Sequence, residues 1–252
     1  MPRRCWARAA SVCADEMSGE HLISKNLFPG SVSIRGFPWC ADQFKTVGIN
    51  SLTANILCRK HNSDLSELDA AAGYVWRALR DVFDLQEDLR IAEAVTKTRP
   101  KIERRRYRLD GMRLERWCFK TTINMVASGN VRGFPADWEP RRELVEYVFG
   151  RTALPDGCGV GLAVVLGERI VDRDHVSFDL MRFVGRHGEP PDVEGFLMGF
   201  RGLRLAGSSI RPLESLHTPT NFANPEQIML RPRKLIFKGV GEVVFDWAGR
   251  GR

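Results

Sequence analysis

Two short segments of the 252-residue chain hold polar side chains whose types and spacing suit a divalent cation. The first is SGEHLIS at residues 18–24, and the second is NILCRKHN at 55–62, directly before a helical pattern. In a strand, the adjacent Glu20 and His21 point to opposite faces, so the carboxylate can hold a cation while the imidazole acts beside it. Asn62 opens the helix and can direct its amide oxygen back towards that strand. These oxygen ligands predict a Mg²⁺ or Mn²⁺ site with positions left for water and phosphate oxygens.

A set of softer ligands overlaps the first set. Cys58 and His61 are separated by two residues, which is the spacing of the second half of a zinc knuckle. Cys5 and Cys13 can complete four ligands, although seven residues lie between them where a knuckle usually has about two to four. Cys40 can replace either of them. Zinc is expected because a small, irregular segment buries too little apolar surface to fold unaided, and metal-binding energy becomes folding energy.

At these residues the chain resembles the HNH endonucleases, the ββα-metal nucleases, especially members whose motif is interleaved with a zinc site. The matching residues are E-H-L-I-S and then N-I-L-C-x-x-H-N before a helix, within residues 5–69. The resemblance implies hydrolysis of phosphodiester bonds, with His21 as the general base and Asn55 holding its loop. It also implies Glu20 and Asn62 as ligands of the catalytic cation, and structural zinc bound at the cysteine and histidine set.

The match has departures and alternatives. Glu20 stands where the family more often has Asp or His, and the insert between Lys25 and Thr53 is long. A second register makes His61 the last ligand of the catalytic cation and leaves zinc without its fourth partner. A zinc-stapled module that binds nucleic acid without cleaving it is the main alternative function. A protein-interaction role is a third hypothesis.

One segment carries the whole net charge of +7. Residues 97–151 contain 14 Lys and Arg against 7 Asp and Glu. Its densest part attracts a polyanion by counterion release, so we expect nucleic acid as the partner, DNA more than RNA. The residues of this basic run are Lys97, Arg99, Lys101, Arg104, Arg105, Arg106 and Arg108. A solvated linker or helix face is the alternative interpretation.

The elements that position these residues follow from periodicity. Apolar residues from Leu65 to Phe83 recur at helical spacing, and a second helical run extends from Met112 to Val126 and stops at 128–130. A third short helix is predicted over 141–149. After Gly150, β-branched and aromatic runs alternate with turn residues, which predicts antiparallel strands.

We therefore expect an α+β chain with three parts: a ββα-metal module at 1–69, a helical region at 70–150 and an antiparallel β-rich domain at 151–252. Charged residues make up 27% and no apolar run is long enough to cross a bilayer, so we expect a soluble protein without membrane contact. The first residues lack the apolar stretch of a secretory signal, which favours the cytoplasm. The oligomeric state and the role of 151–252 stay open.

Overall fold

The structure is a computed structural model, and it is a mixed α+β fold with four α-helices and twelve strands among the residues it describes. The described residues are 5–14, 16–28, 30–35, 37–40, 43–98, 100–164, 175–183, 192–200, 203–210, 212–213, 227–237 and 239–248. The α+β class expected from the sequence is confirmed.

The first sixty residues form four short strands and the start of a helix. They are β1 Met17–His21, β2 Ser31–Arg35, β3 Lys45–Gly48, β4 Thr53–Cys58 and α1 Arg59–Asp64. β1 pairs antiparallel with β4, with Met17 opposite Cys58 and His21 opposite Thr53. The chain between these two strands carries β2 and β3, which pair with each other and not with β1 or β4. A two-stranded sheet therefore leads directly into α1.

The longest element is α2, Ser66–Thr96, which confirms the helix predicted from Leu65. Its buried face comprises Leu68, Ala72, Gly73, Val75, Trp76, Ala78, Leu79, Val82, Phe83 and Leu89. The last buried residue is Leu89, so the final two turns extend into solvent, and the helix ends where Lys97 adopts a left-handed conformation. None of the helices in the described ranges combines the length and the apolar character that crossing a bilayer requires.

The helix α3, Gly111–Ala127, is buried along most of its length. Asp110 caps it, because its Oδ1 accepts a hydrogen bond from the backbone N–H of Arg113 at 2.9 Å. Trp117 is fully buried, as are the two residues after it. The helix ends at Ala127, and its C-cap residue Ser128 precedes a glycine with positive φ. The short α4 spans Arg142–Val148, so both further helices predicted from the sequence are confirmed.

The remaining strands build two larger sheets. They are β5 Arg105–Asp110, β6 Gly159–Val164, β7 His175–Phe183, β8 Asp192–Phe200, β9 Leu203–Ser208, β10 Gln227–Leu230, β11 Lys234–Phe237 and β12 Gly241–Asp246. A seven-stranded sheet has the order β10-β6-β9-β8-β7-β2-β3, and a three-stranded sheet has the order β11-β12-β5. Most neighbours are antiparallel, as the sequence predicts for the region after Gly150.

Two parallel pairings depart from the predicted layout. β5 lies inside the region expected to be helical and pairs parallel with β12 over its whole length. Its sequence, RRYRLD, has only two apolar residues among arginines, so the alternation typical of a strand is weak. β2 pairs parallel with β7 through Ser33–Arg35, although these strands fall in different predicted parts. The helical expectation for 70–150 is therefore wrong at β5, and both sheets draw strands from more than one predicted part.

One large hydrophobic cluster connects most of the described elements, and a small second cluster contains Leu197, Ala206 and Leu213. The large cluster extends from Cys5 and Trp6 at one end of the chain to Val243 and Phe245 at the other, and α3 contributes its largest fully buried side chain, Trp117. Burying apolar surface stabilises a fold by about 25 cal/mol for each Å² removed from water. The N-terminal strands, the helices and β12 therefore all contribute buried side chains to this cluster.

The β5–β12 pairing can be tested at Gly241. A Cβ atom there would overlap the backbone carbonyl oxygen of Arg105 and lie 2.7 Å from its carbon. Backbone of a paired strand cannot move aside, so we expect Gly241→Ala to lower the free energy of unfolding by about 1–3 kcal/mol in urea titrations. Gly48→Ala is the control, since nothing lies within 4 Å and its φ of −65° suits alanine. Equal stability of the two variants would contradict the pairing.

Candidate metal centre and the polar network beside it

Four side chains that can bind a metal ion converge at the junction of β4 and α1. The ligand atoms of Cys5, Cys13, Cys58 and His61 all lie within 4.8 Å of one another. The three sulfur atoms lie 3.3, 3.8 and 3.3 Å from Nδ1 of His61. These are the four zinc ligands predicted from the sequence, and they form a Cys3His cluster that could hold a metal ion.

The spacing of the ligand atoms suits zinc. A tetrahedral zinc site with Zn–S of about 2.3 Å and Zn–N of about 2.0 Å separates sulfur from nitrogen by about 3.5 Å. The three observed distances bracket that value. Cys40 is not part of the cluster, because its thiol donates to the backbone oxygen of Ile34 at 3.7 Å. The alternative in which Cys40 replaces Cys5 or Cys13 is therefore not supported.

Local structure explains how the widely spaced cysteines meet. Cys5 directly precedes a 3-10 helix, Trp6–Ala9, which shortens the path to Cys13 and turns the chain back. Cys58 is the last residue of β4 and His61 lies in the first turn of α1, so this pair is brought together by a strand-to-helix turn. Main-chain geometry therefore replaces the tight loop that a zinc knuckle has in its first half.

Metal binding needs thiolates and a neutral imidazole. The environment of the cluster favours these forms at Cys58 and His61 and opposes them at Cys5 and Cys13. Burial raises the pKa of Cys5 to about 12, and it also raises the pKa of Cys13. Burial acts in the same direction on Cys58, but backbone N–H groups of His61 and Ala14 donate to its sulfur, and its pKa is lowered overall. Desolvation lowers the pKa of His61, which favours the neutral imidazole. A central cation would favour the remaining thiolates.

A second layer of contacts orients the His61 ring. Its Nε2 lies 2.8 Å from Oγ of Ser11, and the same hydroxyl accepts a hydrogen bond from Nζ of Lys60 at 3.1 Å. Phe149 packs edge-on against the imidazole with ring centroids 5.5 Å apart. Because metal-binding histidines usually use the other ring nitrogen for such a hydrogen bond, this arrangement holds Nδ1 towards the three sulfur atoms.

Glu20 lies away from this cluster and is almost fully buried against α3. Its Oε1 accepts hydrogen bonds from Nζ of Lys120 at 2.7 Å and from Nδ2 of Asn124 at 3.0 Å. The same ammonium lies 2.7 Å from each carboxylate oxygen of Asp69. The carboxylate predicted to bind the catalytic cation is therefore paired with a lysine.

Further polar groups extend this buried network in both directions. Ser24 donates to Asp69 and accepts a hydrogen bond from Nε1 of Trp117 at 2.6 Å. On the other side, Oδ1 of Asn124 accepts from Nε1 of Trp6 at 3.0 Å. Trp6 directly follows Cys5, a member of the Cys3His cluster. The network therefore links the candidate metal centre, β1, α2 and α3.

Burial and charge oppose each other within the network. Burial raises the pKa of Glu20, and the positive charge of Lys120 acts against that rise while Asp69 adds to it. Burial acts to lower the pKa of Lys120, but the two carboxylates outweigh it and the pKa is raised. Two carboxylates share one ammonium, so this buried charge pairing depends strongly on Lys120.

The other predicted catalytic residues lie on or beside the β1–β4 pair. His21 ends β1, and its Nε2 is buried without a hydrogen-bond partner among the described residues. Asn62 lies in α1, and its Nδ2 donates to Oγ of Ser18 at 2.8 Å. Asn55 is exposed on β4, with its amide oxygen on the side of Gly19. Glu20 and Asn62 share no partner among the described residues.

The basic run is exposed wherever the structure describes it. Arg106 and Arg108 pair with Glu242 and Asp246 on β12, at 2.8 and 3.9 Å. Exposed pairs of this kind are worth about 0–1 kcal/mol and leave the arginines available to phosphate. The run's other described members are exposed without an ion pair to a described residue; they are Lys97, Lys101, Arg104 and Arg105. Arg99 lies outside the described residues.

Sequence reasoning missed Lys120, Asn124 and Asp69. A signal was present: Lys120 and Asn124 are four residues apart on a helix predicted from its apolar residues, and polar residues at that spacing face the same side. Their shared partner Glu20 lies on β1, 104 positions before Asn124 in the sequence. Periodicity alone contains no information about that pairing.

Comparison of the chain with protein-family models, with curated proteins and with solved structures finds no match. Functional inference therefore rests on the side chains and on their geometry.

Metal content tests the candidate centre directly. We expect the purified chain to hold one zinc ion and Cys58→Ser to lose it, as measured by elemental mass spectrometry, because the other ligands cannot complete a tetrahedral set. The metal-free variant should also unfold at a lower temperature, since the ion's binding energy contributes to folding. Cys40→Ser removes a buried thiol outside the cluster and should keep one ion. Zinc retained by Cys58→Ser, or lost equally from both variants, would contradict the assignment.

Stability measurements test the buried network. Lys120→Met leaves two carboxylates without their cation, so we expect a loss of about 3–5 kcal/mol in urea unfolding at neutral pH. Lys101→Met, at an exposed position, should change stability little. The double variant Glu20→Gln/Lys120→Met should be more stable than Lys120→Met alone by at least about 1 kcal/mol, because one unpaired charge is removed.

The same variant should show a pH dependence of a defined sign. The raised pKa of Glu20 means that its ionised form opposes folding, so protonation at acidic pH relieves the penalty. Lys120 stays charged across this range because its own pKa is raised. The stability lost in Lys120→Met should therefore be larger at about pH 8 than at about pH 5. A loss that is independent of pH would show that the lysine contributes by packing alone.

Proposed function

We propose that this protein is an endonuclease of the HNH type that hydrolyses phosphodiester bonds in nucleic acid, DNA more than RNA. The observation that carries the proposal is the position of His21. It ends the strand paired with β4, which leads into the Cys3His cluster, and its Nε2 has no hydrogen-bond partner among the described residues. A general base needs an imidazole nitrogen that no other group occupies, and Nε2 of His21 meets that requirement among the described residues, although it is buried and the attacking water has to reach it inside the fold.

In the proposed reaction, neutral His21 accepts a proton from water while the water oxygen attacks phosphorus. The bond from phosphorus to the 3′ oxygen breaks, and that oxygen leaves with a proton from solvent. A bound Mg²⁺ or Mn²⁺ ion supplies positive charge to the phosphate oxygens. Asn55 lies beside Gly19, at the irregularity in the β1–β4 pairing, and its proposed role is to help to hold the strand that carries the imidazole.

Of the two residues proposed as ligands of that cation, Asn62 fits the role and Glu20 does not. Nδ2 of Asn62 is engaged by Ser18, while its Oδ1 accepts no hydrogen bond from a described residue. Glu20 does not fit the ligand role in this arrangement, because its carboxylate is buried and bound by Lys120 and Asn124. No step of the proposed reaction involves Glu20. Its role here is to hold β1 against α3.

Zinc fits its proposed role better. The Cys3His cluster lies where the chain passes from β4 into α1, and four protein ligands are enough to complete a tetrahedral shell around one ion. A closed shell of this kind is typical of structural zinc, since catalytic sites keep a position for water. We propose that zinc fixes the β1–β4–α1 unit and takes no part in hydrolysis.

Nucleic-acid binding is assigned to the basic run. Its exposed side chains follow the end of α2 and the length of β5, and phosphate contacts of this kind give affinity without sequence information. The engagement of Glu20 by Lys120 favours a second candidate: the same zinc-stapled unit binds nucleic acid and does not cleave it.

A cleavage assay separates the two candidates. We expect the wild-type chain to nick supercoiled plasmid when Mg²⁺ or Mn²⁺ is added, and His21→Ala to lose at least about a hundredfold in rate while its DNA affinity stays unchanged. Added imidazole should restore part of the activity of His21→Ala by replacing the missing base. The exposed variant Glu93→Ala serves as the control and should cleave at the wild-type rate.

Three results would change the conclusion. Full activity in His21→Ala would exclude the histidine from the mechanism. Binding by the wild-type chain without cleavage under any cation would select the second candidate. A wild-type chain that neither binds nor cleaves nucleic acid would overturn both.

A further inference from the structure

We infer that Arg116 binds a phosphate group of the nucleic-acid backbone, at the turn that follows α4. The inference rests on the proposed nucleic-acid function, and it deepens that function by naming a phosphate contact outside the basic run. We call Arg116, Gly150 and Arg151 the arginine turn.

Arg116 carries a charge that has no protein partner. Its Nε is buried without a hydrogen-bond partner, and no ion pair or hydrogen bond joins its guanidinium to another described residue. Burying part of a charged group without a partner costs free energy, because the group gives up water and gains no bond in exchange. The side chain as a whole is only half-buried, so an anion from solvent can reach it and supply the missing partner.

Gly150 fixes the position of this guanidinium. A Cβ atom at residue 150 would lie 2.5 Å from Nη1 and 2.9 Å from Cζ of Arg116, so the group packs directly against the turn. The φ of Gly150 is +73°, in the left-handed region. A glycine therefore provides both the backbone conformation and the space that the guanidinium occupies. A group that is already held in this way loses little entropy when a ligand binds.

The end of α4 does not use this charge. A cation beside a helix C-terminus often donates to the last carbonyl groups. Here the backbone N–H of Gly150 donates to the carbonyl oxygen of Tyr147 at 2.8 Å, and that of Arg151 donates to the carbonyl oxygen of Glu146 at 2.9 Å. Arg116 donates to neither of these described carbonyls. Packing beside the helix end therefore leaves the donors of the guanidinium available.

Charge around the guanidinium favours an anion. Burial and Glu115 raise the pKa of Tyr147, and the positive charges of Arg231 and Arg116 act against that rise, so both arginines lie near this ring. The carboxylate of Glu115 is already held by Arg231 through hydrogen bonds of 2.9 and 3.0 Å. It balances Arg231 and leaves the charge of Arg116 unbalanced. The planar donors of a guanidinium match the oxygen atoms of a phosphate group.

The second arginine of the turn connects the site to the candidate metal centre. Arg151 is exposed, donates to the backbone oxygen of Ala10 and lies over the ring of Phe149 at 5.4 Å from its centroid. Phe149 in turn packs against His61. Arg116 and Arg151 also both belong to the segment 97–151 that carries the net positive charge. A phosphate held at the arginine turn is therefore close to the metal-binding unit, whereas the basic run follows α2 and β5.

Thermal unfolding of the full chain with inorganic phosphate tests the site. Compared with NaCl at equal ionic strength, about 20 mM phosphate should raise the melting temperature of the wild type by about 2–4 °C, because an anion that binds only the folded chain stabilises it. Arg116→Met should lose that rise. Without phosphate it should melt no lower than the wild type, since methionine keeps much of the apolar stem and the unbalanced charge is removed. Arg80→Met, at an exposed position on α2, is the matched control and should keep the rise.

Binding of a labelled DNA duplex, followed by fluorescence anisotropy, tests whether the phosphate belongs to nucleic acid. Arg116→Met should weaken duplex binding about three- to tenfold at low salt and reduce the slope of log affinity against log salt by about 0.9, since one phosphate contact is lost. Arg116→Lys keeps the charge without the planar donors and should recover part of the affinity. Arg80→Met should bind as the wild type does.

The possible outcomes are distinguishable. A phosphate effect that is absent from the wild type, or equal in Arg116→Met, would overturn the inference, and so would equal duplex affinity of these two chains. Retained plasmid cleavage and duplex binding by the wild type in that case would leave the proposed function standing. A melting temperature of Arg116→Met well below that of the wild type without phosphate would also overturn the inference, because the arginine would then be a structural group.

The source of the phosphate is decided by the same measurements. A phosphate effect that depends on Arg116, in a chain that binds no nucleic acid, would assign the site to a free phosphate compound. It would overturn both the nucleic-acid contact and the proposed function. Unchanged zinc content in the variants verifies that they fold.

Discussion

The convergence of three cysteines and one histidine at the start of α1 is the constraint on which the N-terminal structure depends. Cys5 and Cys13 lie near the beginning of the chain, and Cys58 and His61 lie after a long insert, so only a shared ion or a large core can hold them together. The polar network beside them holds β1 against α3, since Glu20 of β1 binds Lys120 and Asn124 of that helix. Trp6 connects the two systems. The β1–β4–α1 unit is therefore stabilised from both sides.

This arrangement separates structural from chemical roles among residues that are close in sequence. Glu20 and His21 are adjacent and point to opposite faces of β1, as strand geometry requires. Glu20 enters the buried network, while Nε2 of His21 has no partner among the described residues. The proposed nuclease function depends on the face of β1 that carries His21. The face that carries Glu20 accounts for how the strand is held.

Local patterns predicted the elements well and tertiary pairings poorly. The helices α2 and α3 follow from apolar residues at helical spacing, because that spacing is the buried face itself. The Cys58–His61 pair was found from its tight separation. In contrast, the strand pattern of β5 is hard to recognise because arginines fill most of its positions, and its partner β12 lies more than a hundred residues later. The Lys120 network depends on contacts between distant segments, which periodicity does not encode.

Zinc K-edge X-ray absorption on the purified chain tests the central claim most directly, because it reports the identity and distance of the atoms bound to the metal. We predict three sulfur atoms at about 2.3 Å and one nitrogen at about 2.0 Å. A shell made of oxygen and nitrogen, or a chain that binds no zinc at all, would contradict it.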